Sequence, residues 1–393
     1  MKNIMMAWEL GGGLGHVANR FAVRDTLRQR GHQVALALRD LGTLYRLRPE
    51  VAEPVFAAPN PPGMSIAAVR PLLSFADVLW HDAGLHDPAI CAGVISAWRS
   101  LLAHTQCDLL LADAAPMATV AAKSLGIPVL RYGISFLNPP TAAPFPVFRD
   151  WEQHDAGYLP QLEARSVEHI NSALGRLGGP LVESLAQACA DAPLLLESLP
   201  EMDLYGPRNT VANMPSVSTG VGQIPIWPAG DEPRVFCYLK HDYPWLERLL
   251  GALARAPARS SVFIDGAMPG LPAGAPIHLH ATPVDAASAI AQSDVVICSA
   301  GSGMINQALL AGKPLLLLPM QAEQYLNARR VVQFGAGLSV TPPIDKPEFL
   351  APLRRLLSEP GLTASAQAIA ARHVAMAGQD SSQKIADIIE SHA

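Results

Sequence analysis

The sequence predicts an α/β protein made of two Rossmann-like domains, and three observations carry the prediction. An apolar strand, a glycine-rich turn and a helical stretch follow one another near the start (Asn3–Trp8, Gly11-Gly12-Gly13-Leu14-Gly15, Val17–Arg30) and again late in the chain (Asp294–Cys298, Ser299–Gly303, Met304–Leu310). The chain has 393 residues, beyond the size at which one hydrophobic core keeps growing. Between the two halves, Met214–Asp231 is rich in Pro, Gly and Ser and reads as a linker. The expected organisation is a first domain over residues 1–213, a linker over 214–232, a second domain over 233–375, and a terminal helix over 376–393.

Gly31 stops the first helix, and His32–Leu38 is the second strand, so the chain opens as a βαβ unit. From Thr43 to Thr105, Pro and small residues break up any regular pattern, and no element is assigned. Leu109–Asp113 is a strand ending in an acid, and Ala118–Leu125 is the helix after it. Gly133–Tyr158 is a long loop rich in Pro and aromatic residues, a type that tends to be functional. Leu159–Asp191 reads as helical, with Leu174, Leu177, Leu181 and Leu185 at helical spacing, and Leu194–Leu196 as a strand. In the second half the strands are Arg234–Leu239, Ser261–Asp265, Ile277–His280, Asp294–Cys298 and Pro314–Pro319. The closing helices are expected over Lys346–Ser358, Ala364–Ala377 and Gln379–His392.

Composition excludes several classes. Half of the residues are hydrophobic, 16% are charged and the net charge is −5, with Lys and Arg scattered, so nucleic acid is not an expected partner. Five Cys with no CxxC argue for a reducing compartment and against zinc. Glu9 interrupts the N-terminal apolar run, which is too short for a secretory signal, and no stretch is long enough to span a membrane. A cytoplasmic protein is expected, with peripheral membrane contact left open.

Two clusters resemble metal sites. His81-Asp82 and His86-Asp87 have a spacing of five that matches no common ligand set, and His278 and His280 share one strand face without a third ligand nearby. No metal and no cofactor are expected. A dinucleotide cofactor is disfavoured because Gly11–His16 reads GGGLGH rather than GxGxxG.

The pattern Gly301-Ser302-Gly303, Ala311-Gly312-Lys313-Pro314, Pro319, Glu323-Gln324, Asn327-Ala328, Gly335-Ala336-Gly337 resembles the donor-binding segment of the UDP-glycosyltransferase superfamily, of the bacterial small-molecule or lipid glycosyltransferase type. The resemblance implies a GT-B fold, with two Rossmann-like domains facing a cleft and a last helix crossing back to the first domain. It implies an inverting glycosyltransferase that moves a sugar from a nucleotide diphosphate to a hydroxyl or amine of a small apolar acceptor. UDP is the first choice of nucleotide, with dTDP and GDP as alternatives. Two positions depart from the family: Ser299 stands where the loop usually opens with His, and Gln307 where a Glu holds ribose. A serine-bearing loop is also seen in the related N-acetylglucosaminyltransferase of peptidoglycan synthesis.

Carried onto this chain, the resemblance makes His16 the general base and Asp113 the acid that orients it. The alternatives are a His that only hydrogen-bonds its loop, and an Asp that caps the next helix. Donor contacts fall to Lys240, Thr282, Ser299, Gly301, Ser302, Gly303 and Gln307, with Glu323 and Gln324 at the sugar. Acceptor contacts fall to Gly13, Phe136, Phe145 and Phe148, with ordinary burial of these rings as the alternative. Ser299 and Gln307 also motivate a second reading, a catalytically silent GT-B protein that partners another transferase or binds a small molecule. A nucleotide-sugar 2-epimerase is weaker, because the ring of carboxylates and basic residues it would need is not identifiable.

Overall fold

The computed structural model describes residues 1–12, 15–47, 50–51, 54–61, 72–215, 222–267, 270–271, 273–341 and 345–391, and for residues 15, 16, 18, 19, 46 and 47 it describes the backbone. The chain divides into two compact units, Met1–Val217 with Asp380–Ala393, and Ser218–Gln379.

The first unit contains β1 (Asn3–Trp8), α1 (Gly15–Gln29), β2 (Gln33–Leu38), α2 (Leu41–Leu47), β3 (Val55–Ala57), α3 (Phe75–Asp82), α4 (Pro88–His104), β4 (Leu109–Asp113), α5 (Pro116–Ser124), β5 (Val129–Gly133), α6 (Tyr158–Arg176), α7 (Leu185–Cys189), β6 (Leu194–Glu197) and β7 (Ala212–Met214). The strands pair in the order β3-β2-β1-β4-β5-β6-β7, every pairing parallel. The chain reverses its winding between β1 and β4. In such sheets the carboxyl ends of the strands beside the reversal are where ligands bind.

The second unit contains β8 (Arg234–Lys240), α8 (Leu246–Leu253), β9 (Arg259–Asp265), β10 (Ile277–His280), α9 (Ala286–Gln292), β11 (Val295–Cys298), α10 (Ser302–Leu310), β12 (Leu315–Leu317), α11 (Ala322–Gln333), β13 (Gly337–Ser339), α12 (Leu350–Ser358) and α13 (Pro360–Arg372). Its sheet runs β10-β9-β8-β11-β12-β13, again all parallel, with the reversal between β8 and β11. The strands are buried on both faces, which is why they read as unbroken apolar runs instead of alternating ones.

The last helix, α14 (Ser381–Ser391), belongs to the first unit. Ile385, Ala386 and Ile389 enter the core against Val23 and Leu27 of α1, and Arg30 reaches Asp387 at 2.6 Å.

Several expectations are corrected. The stretch 43–105 is not without structure: α3 and α4 start on Ser74 and Asp87, whose side chains accept from Ala76, and from Ala89 and Ile90. The helix expected over Leu159–Asp191 stops at Arg176, where Gly178 takes φ +68°, and a short α7 follows. Within the stretch read as a linker, Gln223 pairs with Val284 and Trp227 donates to Gln292, so residues 222–227 are built into the second unit. The first of the closing helices begins at Leu350 rather than Lys346, the second at Pro360 rather than Ala364.

Glu163 of α6 holds the long loop after β5, its carboxyl accepting from the Phe145 N–H at 2.6 Å. Burial raises its pKa to about 7, against the lowering pull of that N–H. The folded value lies above the unfolded one, so the stability Glu163 contributes is complete below about pH 4.5 and is lost as pH rises through about 7. Melting curves between about pH 5 and pH 8 should therefore show the first unit losing on the order of 1–2 kcal/mol, and Glu163→Gln, which keeps the acceptor oxygen and cannot titrate, should flatten that slope.

Candidate active site

In the first unit, the carboxyl ends of three adjacent strands, of which β4 borders the reversal, carry a buried charged cluster. Asp113 ends β4, Tyr132 lies near the end of β5 and Glu197 ends β6. From α1, Arg20 donates Nε–H to Asp113 Oδ2 at 2.9 Å, and its Nη2 also meets that oxygen. Nη1 lies 3.9 Å from Glu197 Oε2, and the guanidinium sits 3.9 Å above the Tyr132 ring. Arg20, Asp113 and Glu197 are each at most 5% exposed, so the cluster is one buried cation between two buried carboxylates. Gly133 closes it: at φ +130°, a Cβ would come within 2.9 Å of Asp113 Oδ1.

The alternative role for Asp113, capping the next helix, is overturned. The start of α5 is capped by Glu9, whose two carboxyl oxygens accept from Met117 N at 2.9 Å and Ala118 N at 2.6 Å. Glu9 is 2% exposed, and burial raises its pKa to about 8. His16 falls in the first turn of α1, with its side chain outside the described residues, as is all of Gly13. One turn further along the same helix comes Arg20, the partner of Asp113.

The acceptor residues turn out mostly buried. Phe145 is 1% exposed and packs edge-on to Phe75, which makes it core. Phe136 and Phe148 stack at 4.7 Å and are 8% exposed each. The tempting histidine and aspartate clusters also have structural work. Asp87 caps α4, His86 Nδ1 lies 3.0 Å from the Trp80 carbonyl, and His280 lies between Ser261 (Nε2 to Oγ, 2.8 Å) and Gln223 (Nδ1 to Nε2, 2.9 Å). Burial lowers the His280 pKa to about 4, so it is neutral. Among the described residues no group of three His, Cys, Asp or Glu could hold a metal ion.

In the second unit the loop between β11 and α10 leaves the start of the helix without a side-chain cap. Ala300 takes φ +64°, a left-handed conformation uncommon outside glycine, and is fully buried. Gly301 is the N-cap of α10, and with no side chain it offers no acceptor to the first-turn N–H groups. The helix therefore starts at Ser302, two residues earlier than expected. Three side chains organise the loop. Ser302 Oγ donates to Glu323 Oε1 at 3.0 Å, and the buried Asn327 Nδ2 reaches Ala300 O at 3.2 Å, Ser302 Oγ at 3.0 Å and Glu323 Oε1 at 3.3 Å.

Glu323 is thus held inside the loop, and Gln324, the other residue assigned to the sugar, accepts from Met320 N at 2.8 Å. Ser299, Gly301, Gly303 and Gln307 are half-buried at the same helix start or one turn along it. The Gln307 Oε1 atom is buried with no hydrogen-bond partner among the described residues. Lys240 and Thr282 are exposed at the ends of β8 and β10, so both stand at carboxyl strand ends like the loop itself. Sequence reading missed Arg20, Glu197 and Glu9 as polar partners, and gave Asn327 no role.

Residues 273–375 match the glycosyltransferase family 28 C-terminal domain. The chain is 32% identical over 111 residues to a UDP-N-acetylglucosamine--N-acetylmuramyl-(pentapeptide) pyrophosphoryl-undecaprenol N-acetylglucosamine transferase of Granulibacter bethesdensis, a match to 27% of this chain and 28% of that protein. To the Streptomyces coelicolor protein of the same description it is 23% identical over 355 residues, 86% of this chain and 85% of the relative. Among solved structures it is similar to Streptomyces sp. SF2575 glycosyltransferase SsfS6 complexed with thymidine diphosphate, with a TM-score of 0.64 and 19% identity over the whole of both chains. The fold is that of the GT-B glycosyltransferases.

The charged cluster makes a direct prediction. Arg20→Leu leaves Asp113 and Glu197 without their cation and should cost about 3–5 kcal/mol in denaturant unfolding. Adding Glu197→Gln should recover part of that loss, whereas additive effects of the two changes would show that Arg20 does not couple the carboxylates.

Proposed function

We propose that this chain, a nucleotide-sugar-dependent glycosyltransferase by its family 28 C-terminal domain and its GT-B fold, transfers a sugar with inversion to a hydroxyl or amine of an apolar acceptor. The observation that supports this most is the α10 start: a buried left-handed Ala300 and a side-chain-free N-cap expose backbone N–H groups at the positive end of a helix, as a departing diphosphate needs.

In the proposed reaction the acceptor oxygen attacks the anomeric carbon from the side opposite the diphosphate. The carbon–oxygen bond to the diphosphate breaks as the new one forms, and the acceptor proton passes to His16. Asp113, fixed by Arg20, orients and charges the imidazole. Both bonding electrons leave with the diphosphate, whose new charge is met by the loop over Ser299, Gly301, Ser302 and Gly303 and by Lys240. Glu323 and Gln324 address sugar hydroxyls. No metal and no cofactor take part in this scheme.

The donor reading favours a pyrimidine nucleotide. A thymidine diphosphate complex exists for the structural neighbour, and the sequence relatives are described as using UDP-N-acetylglucosamine. Gln307 offers one acceptor oxygen where a carboxylate would offer two, and among the described residues that oxygen has no partner, so it suits a single contact to a sugar hydroxyl of the nucleoside. For the acceptor, the stacked Phe136 and Phe148, with Tyr205 6.4 Å from Phe148, favour an apolar molecule; the relatives' undecaprenol-linked acceptor makes a lipid-linked one the alternative.

His16→Ala should lower transfer by at least about a hundredfold, the usual share of general-base catalysis, with calorimetric nucleotide affinity within a factor of about two of the wild type. Full activity in that variant would remove His16 from the mechanism. Wild-type protein that binds UDP and dTDP but transfers no sugar to any acceptor in a panel would favour the silent GT-B reading.

A further inference from the structure

The helix start that would receive the donor diphosphate already has a carboxylate near it. Glu323 stands in the first turn of α11 and takes the Ser302 hydroxyl at 3.0 Å, and Ser302 is the first residue of α10. The carboxylate therefore offsets the positive end of α10 through the Ser302 hydroxyl. Asn327 lies one turn beyond Glu323 on the same face of α11, is 2% exposed, and serves three acceptors with two amide hydrogens: Ala300 O, Ser302 Oγ and Glu323 Oε1. Because Ser302 Oγ accepts from Asn327, its own hydrogen is directed to Glu323. The result is a directed chain, Asn327 N–H to Ser302 O–H to the Glu323 carboxylate, which also pins the left-handed Ala300.

We infer that this chain makes the loop discriminate an intact nucleotide sugar from the free nucleotide diphosphate. The inference rests on the donor reading above and adds a residue-level account of its specificity. With no sugar present, the Ser302 hydroxyl is committed to Glu323, and the carboxylate opposes a diphosphate at the start of α10. A bound sugar gives Glu323 new O–H donors in place of Ser302. The Ser302 hydroxyl then turns to the diphosphate, and Asn327 holds Ser302 Oγ and Ala300 O in place during the exchange. Sugar and diphosphate are thereby recognised together, and the nucleotide diphosphate left after transfer again faces a carboxylate that holds the Ser302 hydroxyl. Asn327 acts as a positioning residue in this device, and Ser302 and Glu323 set the preference.

The test is calorimetric titration of UDP, UDP-glucose, dTDP and dTDP-glucose into wild-type, Glu323→Gln and Ser302→Ala proteins, with thermal midpoints to confirm that each variant is folded. Glu323→Gln should tighten the free diphosphate and weaken the nucleotide sugar. Ser302→Ala, which removes the hydroxyl that turns to the diphosphate once a sugar is bound, should weaken the nucleotide sugar by a larger factor than the free diphosphate. In each variant the preference for sugar over free diphosphate should fall by roughly tenfold, the worth of one charge-assisted hydrogen bond. Should either variant weaken both ligands by the same factor, or shift neither, the coupling is absent and these residues are independent contacts. Wild-type protein that binds none of the four ligands overturns the donor reading itself, and this inference with it.

Discussion

Parallel sheets impose one constraint on everything else in this protein: each strand feeds a helix whose first N–H groups have no partner within the helix, and those groups gather at the carboxyl edge of the sheet. The two units meet the constraint differently. In the first, a buried carboxyl, Glu9, takes the Met117 and Ala118 N–H groups at the start of α5 and closes that end. In the second, the start of α10 has a glycine N-cap with no side-chain cap, and Glu323 takes the Ser302 hydroxyl there. One helix start is capped by a side chain; the other has no side-chain cap.

The satisfied end frees Asp113. Since Glu9 does the capping, the acid at the end of β4 is available to Arg20, and Arg20 links it to Glu197 two strands away. A cluster with two carboxylates and one guanidinium carries an excess negative charge when all are ionised. Gly133 is part of the same arrangement, since any side chain there would meet the Asp113 carboxylate.

Strands were legible because both faces of each sheet are covered, so Leu109–Ala112 and Val295–Ile297 show as unbroken apolar runs. Helix limits were less so, although some signals were present. Asp87-Pro88 is a cap followed by a first-turn proline, with Cys91, Val94, Ile95, Trp98 and Leu102 at helical spacing behind it, yet the neighbouring histidines drew attention to metal binding instead. Gly178-Gly179-Pro180 marked the end of α6 in the same way. The donor segment was legible in residue type, while its internal wiring was not: that Glu323 is turned onto Ser302 depends on the packing of two helices from separate βα units. The Arg20–Asp113 pair spans 93 residues, and nothing local to either residue announces the other. Phe145 went to the core for a similar reason, because its partner Phe75 sits in a helix the sequence did not reveal.

Donor binding at the start of α10 is the claim on which the rest hangs. A crystal structure of the protein with UDP or dTDP tests it most directly. The account predicts the diphosphate oxygens within hydrogen-bond distance of the backbone N–H groups of Ser302 and Gly303, with Ala300 keeping its left-handed backbone. A nucleotide found elsewhere, or a diphosphate turned away from α10 toward solvent, would contradict it.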